Sequence, residues 1–303
     1  MRGQFPAEQA AGGRFVRQQD AFRGWVSADG SSGYPLESGR YHLYVSWACP
    51  WAHRTILARR LMGLDAAVGM TAVDPVRDER GWAFRDGPDI SRDPVNDFAF
   101  LGEAYLATDP DYRARVTVPV LWDIPAGRIA SNSDDDILRM FGTVFRPLGS
   151  GDAPDLYPEP YRAEIDSLNY WLYDRVNDGV YRAGFATRQE SYEEAAWRLF
   201  AALDALEGRL ADRKFLIADW PVETDWRLFT TLIRFDPVYH GHFKCNLRRI
   251  ADYPHLHRYM RDLYHVPGVA DTVKFDQIKR HYYYTHVEIN PTRIVPIGPA
   301  QEL

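Results

Sequence analysis

Cysteine is nearly missing from this chain: among 303 residues there are two, Cys49 and Cys245. So few rule out a disulfide scaffold and a four-cysteine zinc site, and each thiol must be judged by its own surroundings. Lysine is almost as scarce, with Lys214, Lys244, Lys274 and Lys279 the four among 36 basic residues, a bias that hints at a GC-rich genome. Long apolar runs are absent too. The longest stretch without Asp, Glu, Lys or Arg runs from Tyr41 to His53, well short of the roughly 20 residues of a membrane span. The polar N-terminus has no signal-peptide core. The formal charge is −6 and basic residues are scattered among acidic ones, so there is no basic stripe to attract nucleic acid or an anionic membrane. These absences point to a cytoplasmic protein whose partners are neither nucleic acid nor membrane. What is present, 46% apolar and 26% charged residues, is the composition of an ordinary globular chain, at a length that suggests two cores.

Residues 1–40 are rich in Gly, Ser, Gln and charge without a sustained period, and read as an extended arm with room for a hairpin and no chemistry. Tyr41–Ser46 alternates like a strand, Pro50 suits the first turn of a helix running to Leu61, and Gly63 follows its end. Asp65–Val73, Val118–Trp122 and Arg128–Ala130 read as further strands, and Asp134–Phe141 as a short helix. Residues 41–146 therefore suggest a small α/β domain. It carries a long polar insertion from Pro75 to about Arg115, with a short helix near Phe98–Tyr105. After a Pro/Gly-rich linker, 147–160, apolar residues fall at helical spacing: Ile165, Leu168, Leu172 and Val176, then Leu199, Leu203, Leu206 and Leu210. Residues 161–285 read as mainly α. The proline-rich tail, 286–303, should lie extended.

The strongest chemical signal is Trp47-Ala-Cys49-Pro50-Trp51-Ala52-His53-Arg54. A cysteine at the start of a helix meets free N–H groups and the positive end of the dipole, which favour the thiolate. A two-cysteine redox motif would place its partner at position 52, where this chain has Ala52, so a Cys49 mixed disulfide needs an external thiol. The bland alternative is a small buried hydrophobe. Val118-Pro119 opens a strand; a cis bond there would free the preceding backbone to pair with a peptide-like thiol, although an edge proline needs no such role. Ser133 and Asp134 bring a hydroxyl and a carboxylate to a helix start, which capping also explains. Tyr181, and Tyr282 and Tyr283 with His286, offer phenols that could supply a proton, or could simply pack. His240, His242 and Cys245 resemble a metal cluster without a fourth partner or a convincing spacing, and no metal is expected.

Taken together, Cys49-Pro-Trp-Ala-His-Arg54, Gly81-Trp-x-Phe84, Val118-Pro119, Tyr181-x-Ala-Gly-Phe-Ala186, Arg227 to Tyr239, His242-Phe-Lys-Cys245 and Ile289 to Pro296 resemble the glutathionyl-hydroquinone reductases, the Omega-like Xi class of glutathione transferases, over nearly the whole chain. The resemblance implies a thioredoxin-like N-terminal domain, an all-α C-terminal domain and a homodimer. It implies removal of glutathione from a glutathionylated hydroquinone through a mixed disulfide on Cys49. The family's thiol-site positions fall on Trp82, Val118, Pro119, Ser133 and Asp134, and its proton donors and aromatic-substrate contacts on Tyr181 and Tyr282, with Tyr283 and His286 nearby. Cys245 becomes part of a structural segment.

Two departures stand out. The family reads Glu-Ser where this chain has Ser133-Asp134, reversing the groups that hold the γ-glutamyl end. Together with the arginine bias, this leaves mycothiol as an alternative to glutathione. The family's capping Ser/Thr aligns with Val222, with Thr224 as a substitute cap. Competing functions are a general thiol transferase acting on glutathionylated proteins or dehydroascorbate, and a non-catalytic thiol-ligand-binding module.

Overall fold

The computed structural model describes residues 6–300 and Leu303; positions 1–5 of the expected arm and 301–302 of the expected tail lie outside the described residues. The chain divides into two compact units. The first comprises Gln19–Asp155 and Thr272–His281; the second takes Leu156–Asp271, Tyr282 onward and the described part of Gln4–Gln18.

In the first unit, β1 (Tyr41–Val45) is buried along its whole length, as a central strand must be. The sheet order is β2-β1-β3-β4, with β2 (Val68–Ala72), β3 (Val120–Asp123) and β4 (Arg128–Ser131). β1 pairs parallel to β2 and antiparallel to β3, and β3 pairs antiparallel to β4. The parallel step requires a crossover, supplied by α1 (Pro50–Leu61). Gly63, at φ +67°, ends that helix in the left-handed region where a side chain would be strained. With α2 (Gly102–Thr108) and α3 (Asp134–Gly142), this is a thioredoxin-like unit.

Two local expectations shift. α2 begins after Phe98, because the Glu103 carboxylate accepts from the N–H groups of Ala99 (2.9 Å) and Phe100 (2.8 Å), which fixes the helix start there. β2 begins at Val68 rather than Asp65, since Ala67 N–H closes a turn onto Leu64 O. The arm folds back on itself at one antiparallel bridge, Gln9 with Phe15, flanked by the bonds from Ala10 N–H to Arg14 O and from Val16 N–H to Glu8 O at 2.8 Å each; farther on, Arg23 bridges Ser131 at the sheet edge, and Gly24 N–H donates to Ala130 O.

The second unit is helical: α4 (Arg162–Leu172), α5 (Gly179–Gly184), α6 (Gln189–Arg209), α7 (Glu223–Arg234) and α8 (Pro254–Tyr264). The last residues of α9 (Phe275–Thr285) belong to it as well. Leu199, Leu203, Leu206 and Leu210 are all buried, as their spacing requires. Wider π-type turns follow α4 at Tyr173–Asn177 and α7 at Phe235–Tyr239. In the second, Pro237 has no N–H to continue the α-helical ladder.

Every residue of α7 is buried, so its charges need internal partners. Glu223 meets Arg227 at 3.1 Å and Asn169 at 2.9 Å. Asp225 accepts from Val222 N–H, Leu216 N–H and Tyr259 Oη. Thr224 does not take over the cap: its hydroxyl is buried with no hydrogen-bond partner among the described residues. Asp225 reaches back to the Val222 N–H instead, because a carboxylate there can serve two backbone donors at once. Among the described residues no helix is long and apolar enough to cross a membrane.

Candidate active site

Cys49 stands at the junction where β1 turns into α1. Its backbone is extended (φ −79°, ψ 123°), Pro50 follows as the first helical residue, and its carbonyl accepts the first helical bond from His53 N–H at 2.9 Å. The thiol therefore sits at the positive end of a twelve-residue helix. It is partly exposed and its Sγ donates to Val118 O at 3.7 Å. The Val118–Pro119 bond is cis. Cys245 has the opposite surroundings: it is fully buried, its sulfur faces the carbonyls of Val180 and Phe243, and burial pushes its thiol far up.

Ser133 caps α3, its hydroxyl accepting from Asp136 N–H at 3.4 Å. Asp134 Oδ2 pairs with Arg54 Nη1 at 2.7 Å, and Asp135 lies 3.2 Å from the same nitrogen. Arg54, on the helix that Cys49 starts, is buried and lies 4.5 Å over the Trp51 ring. It ties the cysteine helix to the helix of the candidate γ-glutamyl site. Trp82 is buried, stacks on His281 at 5.0 Å and lies 5.0 Å from the Arg77 guanidinium. Its carbonyl accepts from Leu101 N–H, which fixes the insertion beside it.

In the second unit, Tyr181 Oη and Tyr282 Oη are 2.6 Å apart, and Tyr239 Oη is 3.1 Å from Tyr282 Oη. Burial raises the Tyr239 and Tyr282 phenols well above the usual range. Phe243 packs against all three rings, and it can do so because Gly184 has no Cβ, which would overlap the Phe243 ring. His286 meets Tyr282 edge-on at 5.5 Å and its Nδ1 lies 3.1 Å from His242 Nε2. Tyr283 is set apart: its hydroxyl donates to Pro237 O at 3.3 Å. No group of three His, Cys, Asp or Glu among the described residues is arranged to hold a metal ion.

Two residues escaped the sequence reading of the site. Tyr239 lay inside a matching segment, but a tyrosine following a helical run carries no signal of its own. Arg54 lay inside the cysteine motif, and its role emerges only once α3 is placed in space.

A thioredoxin-like unit with a lone cysteine at a helix start, joined in sequence to a helical unit, defines a glutathione transferase. A family model for the glutathione S-transferase C-terminal domain matches residues 189–262. The chain is 48% identical to the glutathionyl-hydroquinone reductase YqjG of Escherichia coli, across 97% of this chain and 92% of that protein. The glutathione-bound structure of YqjG superposes with a TM-score of 0.90 at 49% identity, covering 93% of this chain and 94% of that one. The Xi glutathione transferase of Phanerochaete chrysosporium gives a TM-score of 0.91 at 49% identity, covering 94% and 97%. The chain belongs to the glutathionyl-hydroquinone reductases, the Xi class of glutathione transferases, and is an enzyme of that kind.

Proposed function

We propose that the protein reduces glutathionyl-hydroquinones, with Cys49 as nucleophile and glutathione as the thiol. The observation that carries this reading is the partly exposed Cys49 at the start of α1, its sulfur against Val118 O. The thiolate attacks the sulfur of the conjugate, forming the S–S bond of a Cys49–glutathione disulfide. The bond from that sulfur to the ring carbon breaks and its electron pair stays on the ring. A proton from the phenol cluster of Tyr181 and Tyr282 completes the hydroquinone. A second glutathione thiolate then attacks the mixed disulfide, releasing oxidised glutathione and the Cys49 thiolate. The ring carbon is thereby reduced, and the sulfur of the conjugate and the thiol of the second glutathione are together oxidised to one disulfide.

The donor set suits a γ-glutamyl group: the start of α3 and the Ser133 hydroxyl for its carboxylate, Asp134 for its ammonium. Trp82, Val118 and Pro119 supply the remaining thiol contacts, and Tyr283 and His286 border the aromatic substrate. Residues 41–146 hold the thiol chemistry and residues 161–285 the aromatic substrate, with the arm, linker and tail at 1–40, 147–160 and 286–303. Two cysteines outside any disulfide suit the reducing cytoplasm, where we place the enzyme as a homodimer.

The test is intact-mass analysis after exposure to oxidised glutathione or oxidised mycothiol, with turnover of the matching quinone conjugates. We expect one glutathione on the wild-type protein, none on Cys49→Ser, and loss of turnover in that variant. Wild-type turnover by Cys49→Ser would refute the mechanism. Both Ser133 and Asp134 are already engaged, by Asp136 N–H and Arg54, so a clear preference for the mycothiol conjugate would reassign the thiol.

A further inference from the structure

The three linked phenols of the second unit do not have the same surroundings. Tyr282 is in the middle, 1% exposed, with a hydroxyl neighbour on either side. Tyr181 is 7% exposed, and the guanidinium of Arg17, from the arm, lies 4.6 Å from its ring centroid. Arg17 Nε donates to Asp178 Oδ1 at 2.7 Å, with side chains 16% and 2% exposed. Burial works against the charge on Arg17, but Asp178 and the phenols of Tyr181 and Tyr173 more than offset it, so the guanidinium stays protonated. Asp178 is also held by Arg182 at 3.1 Å. Arg234 eases charge on Tyr239 and Tyr282, though not enough to overcome their burial and the neighbouring Tyr181 phenol, which raises both; Tyr239 raises Tyr282 further, whereas the Tyr282 hydroxyl lowers Tyr239. His286 and His242 complete the groups around Tyr282.

We infer that Arg17 is a positioning residue that makes Tyr181, rather than Tyr282, the phenol that gives up its proton in the reductive step. The inference rests on the phenol step proposed above. A phenolate spreads its charge into the ring, so a fixed cation against the ring face stabilises the deprotonated form, and more so away from water. When the Tyr181 O–H bond breaks and its proton goes to the ring carbon of the hydroquinone, the Tyr282 hydroxyl donates to the remaining oxygen at 2.6 Å. Tyr239 can donate to Tyr282 in turn, so the chain polarises towards Tyr181. The second glutathione loses its thiol proton to become the attacking thiolate, and that proton returns Tyr181 to its starting state.

The test is the pH dependence of kcat for one glutathionyl-hydroquinone, measured on the full-length enzyme. Arg17→Gln should lower kcat about tenfold near neutrality and move the alkaline limb up by about one pH unit, because a general acid without its cation holds its proton more tightly. Arg17→Lys should keep most of both. Asp178→Asn leaves the cation less compensated and should move the limb down; this opposite shift is one that loss of packing does not produce, and it can be read even if Arg17→Gln fails to fold. In a Tyr181→Phe background, Arg17→Gln should cost less than twofold further. Limbs unmoved in both variants, or an undiminished Arg17→Gln effect in that background, would overturn the inference while leaving the phenol step standing. Wild-type turnover by Tyr181→Phe, with Cys49→Ser inactive, would instead remove the phenol step and this inference with it.

Discussion

At the scale of single residues, the two cysteines show how far position outweighs identity. Cys49 is partly exposed at a helix start, whereas Cys245 is fully buried and its thiol is pushed far up by desolvation. Brief alkylation of the native protein at pH 8 should therefore label Cys49 and spare Cys245, as read by peptide mass. Comparable labelling of both would contradict the burial argument. Cys245→Ser should retain turnover, with a stability loss of about 1 kcal/mol for a hydroxyl in an apolar site. The phenols allow a second residue-scale expectation. Tyr181→Phe and Tyr282→Phe should each slow the reductive step about ten- to a thousandfold, the range for losing an acid catalyst or the hydrogen bond that supports it; unchanged rates in both would make the cluster a packing feature.

At the scale of elements, α1 and α6 are legible in the sequence itself. Pro50 and Gly63 bracket the first, and the leucine spacing of the second has a single amphipathic solution. α2 was displaced because its start is set by one carboxylate, Glu103, reaching back over the preceding loop, and such a reach leaves no periodic trace. The cysteine's place at a helix start was readable for the same reason as α1 itself. Arg17 was not, because a charged residue in an aperiodic arm looks the same whether it meets water or the face of Tyr181. The first turn of α7 shows the same limit. The sequence offers Thr224 as a cap, yet its hydroxyl is buried without a partner among the described residues while Asp225 binds the Val222 N–H. Thr224→Val should accordingly be neutral or stabilise by up to about 1 kcal/mol, since it removes an unsatisfied hydroxyl at nearly constant volume. Asp225→Ala should cost several times as much, because it strands two backbone donors and the Tyr259 hydroxyl. Urea denaturation of the two variants side by side separates these roles, and equal losses would restore Thr224 as the cap.

At the scale of the whole molecule, each unit buries a histidine whose charged form the fold disfavours. Burial lowers His42, in the first unit, to about 4, with Arg59 adding to the effect and Asp93 opposing it; burial likewise lowers His242, in the second, to about 4, aided by Lys244. A histidine with a depressed folded value contributes stability in full above its unfolded value near 6.5, and that contribution fades as pH falls towards 4, where the unfolded chain takes up the proton first. Each histidine should thus contribute about 2 to 3 kcal/mol of acid lability between pH 6.5 and 4.5. Asp225 acts in the opposite sense, since burial raises it to about 6 and its native carboxyl takes a proton before the unfolded one does. The wild-type curve alone mixes these effects, so the informative quantity is a difference. His42→Asn gives up the contact of His42 Nε2 with the Thr71 hydroxyl at 2.8 Å, a loss that does not vary with pH, and it does not titrate. The stability gap between wild type and this variant, from urea denaturation, should narrow by about 2 to 3 kcal/mol from pH 6.5 to 4.5, whatever its size at neutrality. His242→Asn reads the second unit in the same way. Parallel pH curves for wild type and His42→Asn would show that His42 is protonated in the fold as easily as outside it, and would remove this source of acid lability from the first unit.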